Sequence, residues 1–450
     1  MSARPDAAFP PPKLECVYVL GLGLSGAAAT RLLRRRGVEV IASDRRGGGE
    51  LGIDDLAADS GVALSLLDAE PSLPSGVDAV ITSPGVPLSH PLLARARGAG
   101  VPVAAEVELA FHYLDGTVVG ITGSNGKSTT TAMTGVILAG AGIPAEVCGN
   151  IGKPLSAVVD GPPGRIFVVE LSSFQLETTH RFRPYAAALL NISPDHLDRH
   201  GDLAGYIAAK RRIFRNQGPD DIAVLNADDP VVAATQVRSR KEFFSPKGIA
   251  ADGFALRGDE ISALAEAIPT ALAPLENAMA AALLARAVGA PVSTIAPSLR
   301  EFRGLPHRIQ RIGEIAGVAY VDDSKGTNVA ATARALEGFA DRTVHLILGG
   351  RNKGADFAYL DAIVAQKARR IYLIGESAAA IERALGGRVA AVRAETLDVA
   401  VASAASAARA GDVVLLSPAC ASFDQFRDYI DRGEKFASLV RAMSSVGTRP

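Results

Sequence analysis

Cysteine is scarce: Cys16, Cys148 and Cys420 are the only three in 450 residues, and they lie far apart. An odd number without metal-ligand spacing argues against a disulfide framework and is expected of a reducing compartment. Net charge is scarce too, 47 basic residues against 48 acidic ones leaving a formal −1. That balance provides no electrostatic footprint for nucleic acid or an anionic membrane, so neither is expected as a partner. No run approaches the ~18–20 apolar residues of a membrane span, and no membrane insertion is expected. The opening segment "MSARPDAAFPPPK" lacks the apolar core of a signal peptide, so a short disordered tail and a cytoplasmic location are expected. Fixed-period repeats and low-complexity tracts are absent as well.

What remains is an ordinary globular composition, 48% hydrophobic and 21% charged. At ~150 residues per domain the length suggests three domains. Apolar strand-like runs alternate with helical periodicity along almost the whole chain, the pattern of α/β layers with mainly parallel sheets. A first block, 1–106, opens with "CVYVL", turns at "GLGLSG" and closes near "VPVAAEVELA". A second, 107–304, opens with "TVVGITGSNGKS" and carries "RIFVVE", "YAAALLNIS" and the helical "ENAMAAALLARAVG". The segment "EFRGLPHRIQ" reads as a hinge, and a third block, 305–450, has strands at "VAYVDDS", "TVHLILGG", "RIYLIGE" and "DVVLLSP".

"VVGITGSNGKST" is a buried strand, a glycine turn and a helix start. Backbone N–H groups at such a turn converge on one point, where the helix dipole also favours negative charge. Lys127 can reach β- and γ-phosphates there, and Ser128 can place its hydroxyl on Mg²⁺. The spacing departs from the usual pattern, which wants glycine where Ile121 stands. Gly123 comes two residues later, making a tighter loop. A magnesium triphosphate also needs oxygen ligands. Glu170 ends the strand "RIFVVE", and "NISPDHLDRHG" places Asp195, His196 and Asp198 after another. Both fall at the carboxyl edge of the sheet, where ligands bind in open α/β folds. By itself Lys210, in "YIAAKRRIF", reads as a cation on a solvated helical face.

"GLGLSG" fits G-x-G-x-x-G between a strand and a helix, with Asp44 18 residues beyond Gly26. That is the dinucleotide fingerprint and points to NAD(P), although its physics is only a diphosphate on a helix N-terminus.

Taken together, "GLGLSG", "SPGV", "TGSNGKST", "GNIG", "ELSSFQLE", "DHLDRH", "AAKRRIF", "ENAMAA", "GLPHR", "DDSKGTN", "GGRNKGADF" and "SPACASFDQF" resemble the Mur ligases, the ATP-dependent amide ligases of peptidoglycan precursor synthesis. "ELSSFQLE", "DDSKGTN" and "SPACASFDQF" resemble the D-glutamate-adding branch in particular. The resemblance implies an N-terminal Rossmann-like UDP-binding domain, a central P-loop-type ATP-binding domain with a mostly parallel sheet, and a C-terminal Rossmann-like domain. It implies UDP-N-acetylmuramoyl-L-alanine, D-glutamate, ATP and Mg²⁺ as substrates and cofactors, and a monomer is expected, although the sequence itself does not give the oligomeric state.

The resemblance also distributes roles. Gly123, Ser124, Asn125, Gly126, Lys127, Ser128 and Thr129 would form the ATP loop, with Asn277, Arg308 and Asp323 also on the nucleotide. Ser128, Glu170 and His196 would serve magnesium, together with Lys210 as a carbamate made from CO₂. Lys127, His196 and Lys210 would be catalytic. Leu24, Ser25, Asp44, Arg45 and Asn150 would lie on the UDP-sugar, with Arg46 a second basic candidate. Lys325, Thr327, Lys353, Ser422 and Phe423 would form the D-glutamate pocket, with Tyr429 standing where relatives can carry phenylalanine. Three rival readings remain: an NAD-dependent oxidoreductase, a P-loop ATPase module, and a folylpolyglutamate-type ligase.

Overall fold

The computed structural model describes residues 9–11, 13–246, 258–267, 275–385 and 387–446. The α/β class holds, with three sheets following one another along the chain. The first has five parallel strands in the order Val62–Leu66, Glu39–Asp44, Cys16–Leu20, Ala79–Thr82, Val103–Ala105. The second has six, all parallel, in the order Arg240–Phe244, Ile222–Asn226, Ala186–Leu189, Gly116–Thr122, Arg165–Glu170, Ala145–Gly149. The third runs Gln310–Ile315, Val318–Asp322, Val413–Leu416, Val344–Gly349, Ala368–Ile374, Ala390–Glu395. Its edge strand Gln310–Ile315 is antiparallel. Central strands such as Ala186–Leu189 and Val344–Gly349 are buried throughout, as helices on both faces of a parallel sheet require.

The described residues divide into two compact units, one drawn from Met1–Ile192, Ala204–Ala267 and Glu276–Glu301, the other from Ser193–Leu203, Ile268–Leu275 and Phe302–Pro450. The change from one to the other at Glu301/Phe302 falls inside the hinge segment. The first two sheets share the first unit, and one apolar cluster runs through both, from Val17 and Leu32 to Phe167 and Leu225. Most of the expected N-terminal tail, residues 1–8 and 12, lies outside the described residues. Phe9, however, is fully buried in that cluster, so the tail reading does not extend to it. After Asp44, Gly48–Leu51 forms one helical turn, with Glu50 in its first turn and Leu51 packed on the core.

The junction between the first two sheets is the helix Glu106–Tyr113, and two buried carboxylates fasten it. Glu108 accepts the backbone N–H groups of His180, Arg181 and Phe182 at 2.9, 2.7 and 3.0 Å. Glu106 accepts the Ser156 N–H at 2.5 Å, while its Oε2 meets no donor among the described residues. Burial pushes the Glu106 carboxyl up to about 7, against the Ser156 hydrogen bonds. Its folded value exceeds the unfolded one, so its ionisation destabilises the fold progressively as pH rises from about 4.5 through 7. At ~1.4 kcal/mol per pKa unit this is on the order of 3 kcal/mol. Glu106→Gln is therefore expected to melt above the wild type at pH 8 and level with it near pH 5, measured by thermal denaturation.

Candidate active site

The strand Gly116–Thr122 delivers the chain to the phosphate loop, and the helix Lys127–Gly140 carries it away. Gly126 at the helix start has φ 82°, a left-handed conformation that glycine adopts without penalty. A Cβ built there would fall 2.4 Å from Asn277 Oδ1, so Asn277 closes on the loop from the helix Leu275–Ala287. Asn191, which the sequence reading quoted but gave no role, fixes the loop from the end of the neighbouring strand. Its backbone carbonyl accepts the Ser124 N–H at 2.9 Å, and its Oδ1 accepts the Asn125 N–H at 2.8 Å. Ser124 Oγ also lies 3.1 Å from the Tyr206 hydroxyl.

Two ammonium groups meet on one carbonyl of this loop. Lys127 donates to Gly123 O and to Ser124 O, both at 2.8 Å, and Lys210 donates to Gly123 O at 2.7 Å. Lys210 is 1% exposed, and its Nζ lies 4.6 Å from the centre of the Tyr206 ring. The solvated-face reading of Lys210 is thus corrected: the helix Leu203–Arg211 turns this residue inward onto the loop. Ser128 and Thr129 are buried in the first helical turn.

Glu170, also buried, ends a strand paired with the one that leads to the loop, Ile121 standing opposite it. Glu170 Oε1 accepts Asn150 Nδ2 at 2.8 Å, joining a residue expected on magnesium to one expected on the UDP-sugar. A buried carboxylate and a helix-start hydroxyl fit a hard cation that keeps most of its shell for water and phosphate, while the Lys127 ammonium suits the phosphates themselves.

In the glycine loop of the first sheet, Asp44 Oδ2 accepts the Leu22 N–H at 2.7 Å. The same carboxylate takes Arg46 through its N–H, Nε and Nη2, each at 2.9 Å. Burial would raise the Asp44 carboxyl, but the Arg46 guanidinium and the Leu22 N–H together hold it below the usual range. Arg46, and not Arg45, is therefore the basic residue tied to this loop. Leu24 and Ser25 open the helix Leu24–Arg35, Leu24 being 80% exposed.

The second unit holds the remaining candidates. Asp323 follows the strand Val318–Asp322; its Oδ2 accepts Ser417 Oγ at 2.7 Å, and its Oδ1 accepts the Ile309 N–H at 3.3 Å. Burial lifts its carboxyl to about 7, partly offset by the Ser417 hydrogen bond and the Arg308 charge. Lys325 places its Nζ 3.7 Å from the centre of the Tyr429 ring, and its N–H donates to His307 O. Thr327 is half-buried, Ser422 buried and Phe423 62% exposed. His196, at φ 54°, also belongs to this unit, as does Lys353, whose Nζ lies 2.9 Å from Asp195 Oδ1.

Arg432 had no signal in the sequence. It is 1% exposed, and its guanidinium donates to Ser324 Oγ at 2.9 Å, Ser324 O at 2.8 Å and Cys420 O at 3.2 Å. It thereby ties the "DDSKGTN" and "SPACASF" loops together.

A phosphate loop at the carboxyl edge of a parallel sheet, crowded by two lysines and a buried carboxylate, defines a nucleotide-dependent α/β enzyme. The chain belongs to the Mur ligase family. Residues 15–105 match the MurD-like N-terminal domain, 121–266 the Mur ligase middle domain, and 307–420 the Mur ligase glutamate ligase domain. The UDP-N-acetylmuramoylalanine–D-glutamate ligase of Acidobacterium capsulatum is 44% identical over 443 residues, covering 95% of this chain and 96% of that protein. The ligase of the same name from Pelotomaculum thermopropionicum is 42% identical over 448 residues, with 95% and 97% covered. Among solved structures, the UDP-N-acetylmuramate–alanine ligase MurC of Thermotoga maritima shares the fold at a TM-score of 0.58 and 19% identity, covering 96% of this chain and all of that one.

Among the described residues no helix is long and apolar enough to cross a membrane. The three cysteines are free thiols.

Proposed function

We propose that this chain joins D-glutamate to UDP-N-acetylmuramoyl-L-alanine at the expense of ATP. The convergence of Lys127 and Lys210 on Gly123 O carries the reading, because it brings to one glycine loop a cation for the polyphosphate and a second amine that CO₂ can convert into an oxygen ligand for its metal. The shared name of two relatives above 40% identity supports the choice of substrates.

In this reading the L-alanine carboxylate attacks the γ-phosphorus, giving an acyl phosphate and ADP. The amine of D-glutamate then attacks the acyl carbon, loses a proton and expels phosphate. Lys127 exchanges its loop carbonyls for phosphate oxygens, and Asn277 keeps the loop closed around them. Asn150 and the glycine loop with Leu24, Ser25, Asp44 and Arg45 or Arg46 hold the UDP-sugar. Arg308 and Asp323 serve the nucleotide, while Lys325, Thr327, Lys353, Ser422 and Phe423 receive D-glutamate. Ser128, Glu170, His196 and Lys210, the last as a carbamate, would hold magnesium, which when bound offsets the charge of the phosphates. No protein nucleophile is required, so the chain contributes positioning, charge and exclusion of water.

The test is phosphate release from Mg-ATP with each substrate alone and both together, and L-glutamate as control. Release that needs both substrates and prefers the D-isomer is expected. Release from ATP alone, indifferent to either, would return the chain to a simple ATPase.

A further inference from the structure

Lys353 is expected to meet a carboxylate of D-glutamate, yet its ammonium is already engaged by a carboxylate of the protein. Its Nζ lies 2.9 Å from Asp195 Oδ1, and the two side chains are only 19% and 9% exposed. Asp195 is held from other directions as well. Asn328 Nδ2 donates to its Oδ2 at 3.2 Å, and the His196 N–H donates to Oδ1 at 3.0 Å. Asn328 is itself fixed, because its Oδ1 caps the helix Val329–Glu337 by accepting the Ala331 N–H at 2.8 Å. All four residues belong to the second unit, which also carries Lys325, Thr327, Ser422 and Phe423.

A carboxylate that approaches Lys353 therefore finds a cation whose charge Asp195 has balanced. If it bound alone, two carboxylates would share one ammonium in a poorly hydrated place, and their mutual repulsion would oppose binding. An α-amino acid removes this conflict, since it brings a cation of its own.

We infer that Asp195 receives the α-ammonium of the incoming amino acid while Lys353 receives one of its carboxylates. The protein's single ion pair becomes an alternating array of four charges, two from the protein and two from the substrate. Asn328 and the His196 N–H keep the Asp195 carboxylate in place as Lys353 turns to its second partner. The nitrogen that becomes the nucleophile is thereby positioned beside His196, and a diacid without the amine is selected against.

This inference rests on the D-glutamate reading, and its test separates the two. Glutarate is the matching diacid lacking the amine, and its inhibition constant is compared with the KM for D-glutamate in the phosphate-release assay. Asp195→Asn is expected to raise that KM about tenfold or more while leaving glutarate inhibition unchanged or stronger. Lys353→Ala is expected to weaken both ligands.

If Asp195→Asn turns over too slowly, titration calorimetry reads the same ratio. There D-glutamate and glutarate are each added to enzyme holding a non-hydrolysable ATP analogue and UDP-N-acetylmuramoyl-L-alanine. Equal shifts for both ligands, or none for either, would overturn the role of Asp195 and leave the ligase reading standing. A wild type without D-glutamate-dependent release would overturn both.

Discussion

Lys210→Ala is expected to lower substrate-dependent phosphate release about 100- to 1000-fold while the chain remains folded, the range found when one preorganised electrostatic group is removed. The side chain is buried, bonds the loop carbonyl at 2.7 Å and lies against Tyr206. Water that fills its place cannot reproduce a fixed charge at that carbonyl. The melting temperature should also fall, since the alanine leaves a gap beside the Tyr206 ring. Two further measurements decide which chemical form acts. An ammonium should be replaced in part by Lys210→Arg, which keeps a cation in the same region. A carbamate cannot form on arginine, so Lys210→Arg would then be as slow as Lys210→Ala, and CO₂-depleted buffer would slow the wild type reversibly. Unchanged rates for Lys210→Ala and in depleted buffer would remove the carbamate from the proposal.

Some strands were legible because they are unbroken apolar runs: "CVYVL" is the strand Cys16–Leu20 itself, while strands with charged residues, such as Arg240–Phe244, went unnamed. The phosphate loop was legible because its glycine, lysine and serine are neighbours in the chain. The antiparallel edge strand Gln310–Ile315 escaped notice because its hairpin turns on Ala316 and Gly317, at φ 50° and 75°. The usual asparagine–glycine or aspartate–glycine signal of such a turn is missing there. Burial of Lys210 also escaped, since its acceptor lies 87 residues away and its helix has no clear apolar stripe. Asn191 and Arg432 share that cause: they act across 66 and 108 residues respectively. The Asp195–Lys353 pair spans 158 residues and joins two motifs that the sequence presents as independent. Local chemistry is written in the sequence; which distant groups meet depends on the tertiary fold.

Lys127→Ala offers the complementary loss. The ammonium lies on its own loop, donating to Gly123 O and Ser124 O, and a triphosphate must draw it away from both. Without it, the Asn191 hydrogen bonds to the Ser124 and Asn125 N–H groups still hold the loop, so the helix start remains a site for an anion. Affinity for a non-hydrolysable ATP analogue should then fall more than affinity for AMP, because the lysine acts on the β- and γ-phosphates. Phosphate release should drop about 100-fold or more. Binding of UDP-N-acetylmuramoyl-L-alanine, measured by titration calorimetry, should stay within about twofold of the wild type. The reason is geometric: the glycine loop of the first sheet has its own partners, Asp44 with the Leu22 N–H and Arg46, and none of them touches Lys127. Joint loss of nucleotide and UDP-sugar binding would mean that one of these two sites has been misplaced.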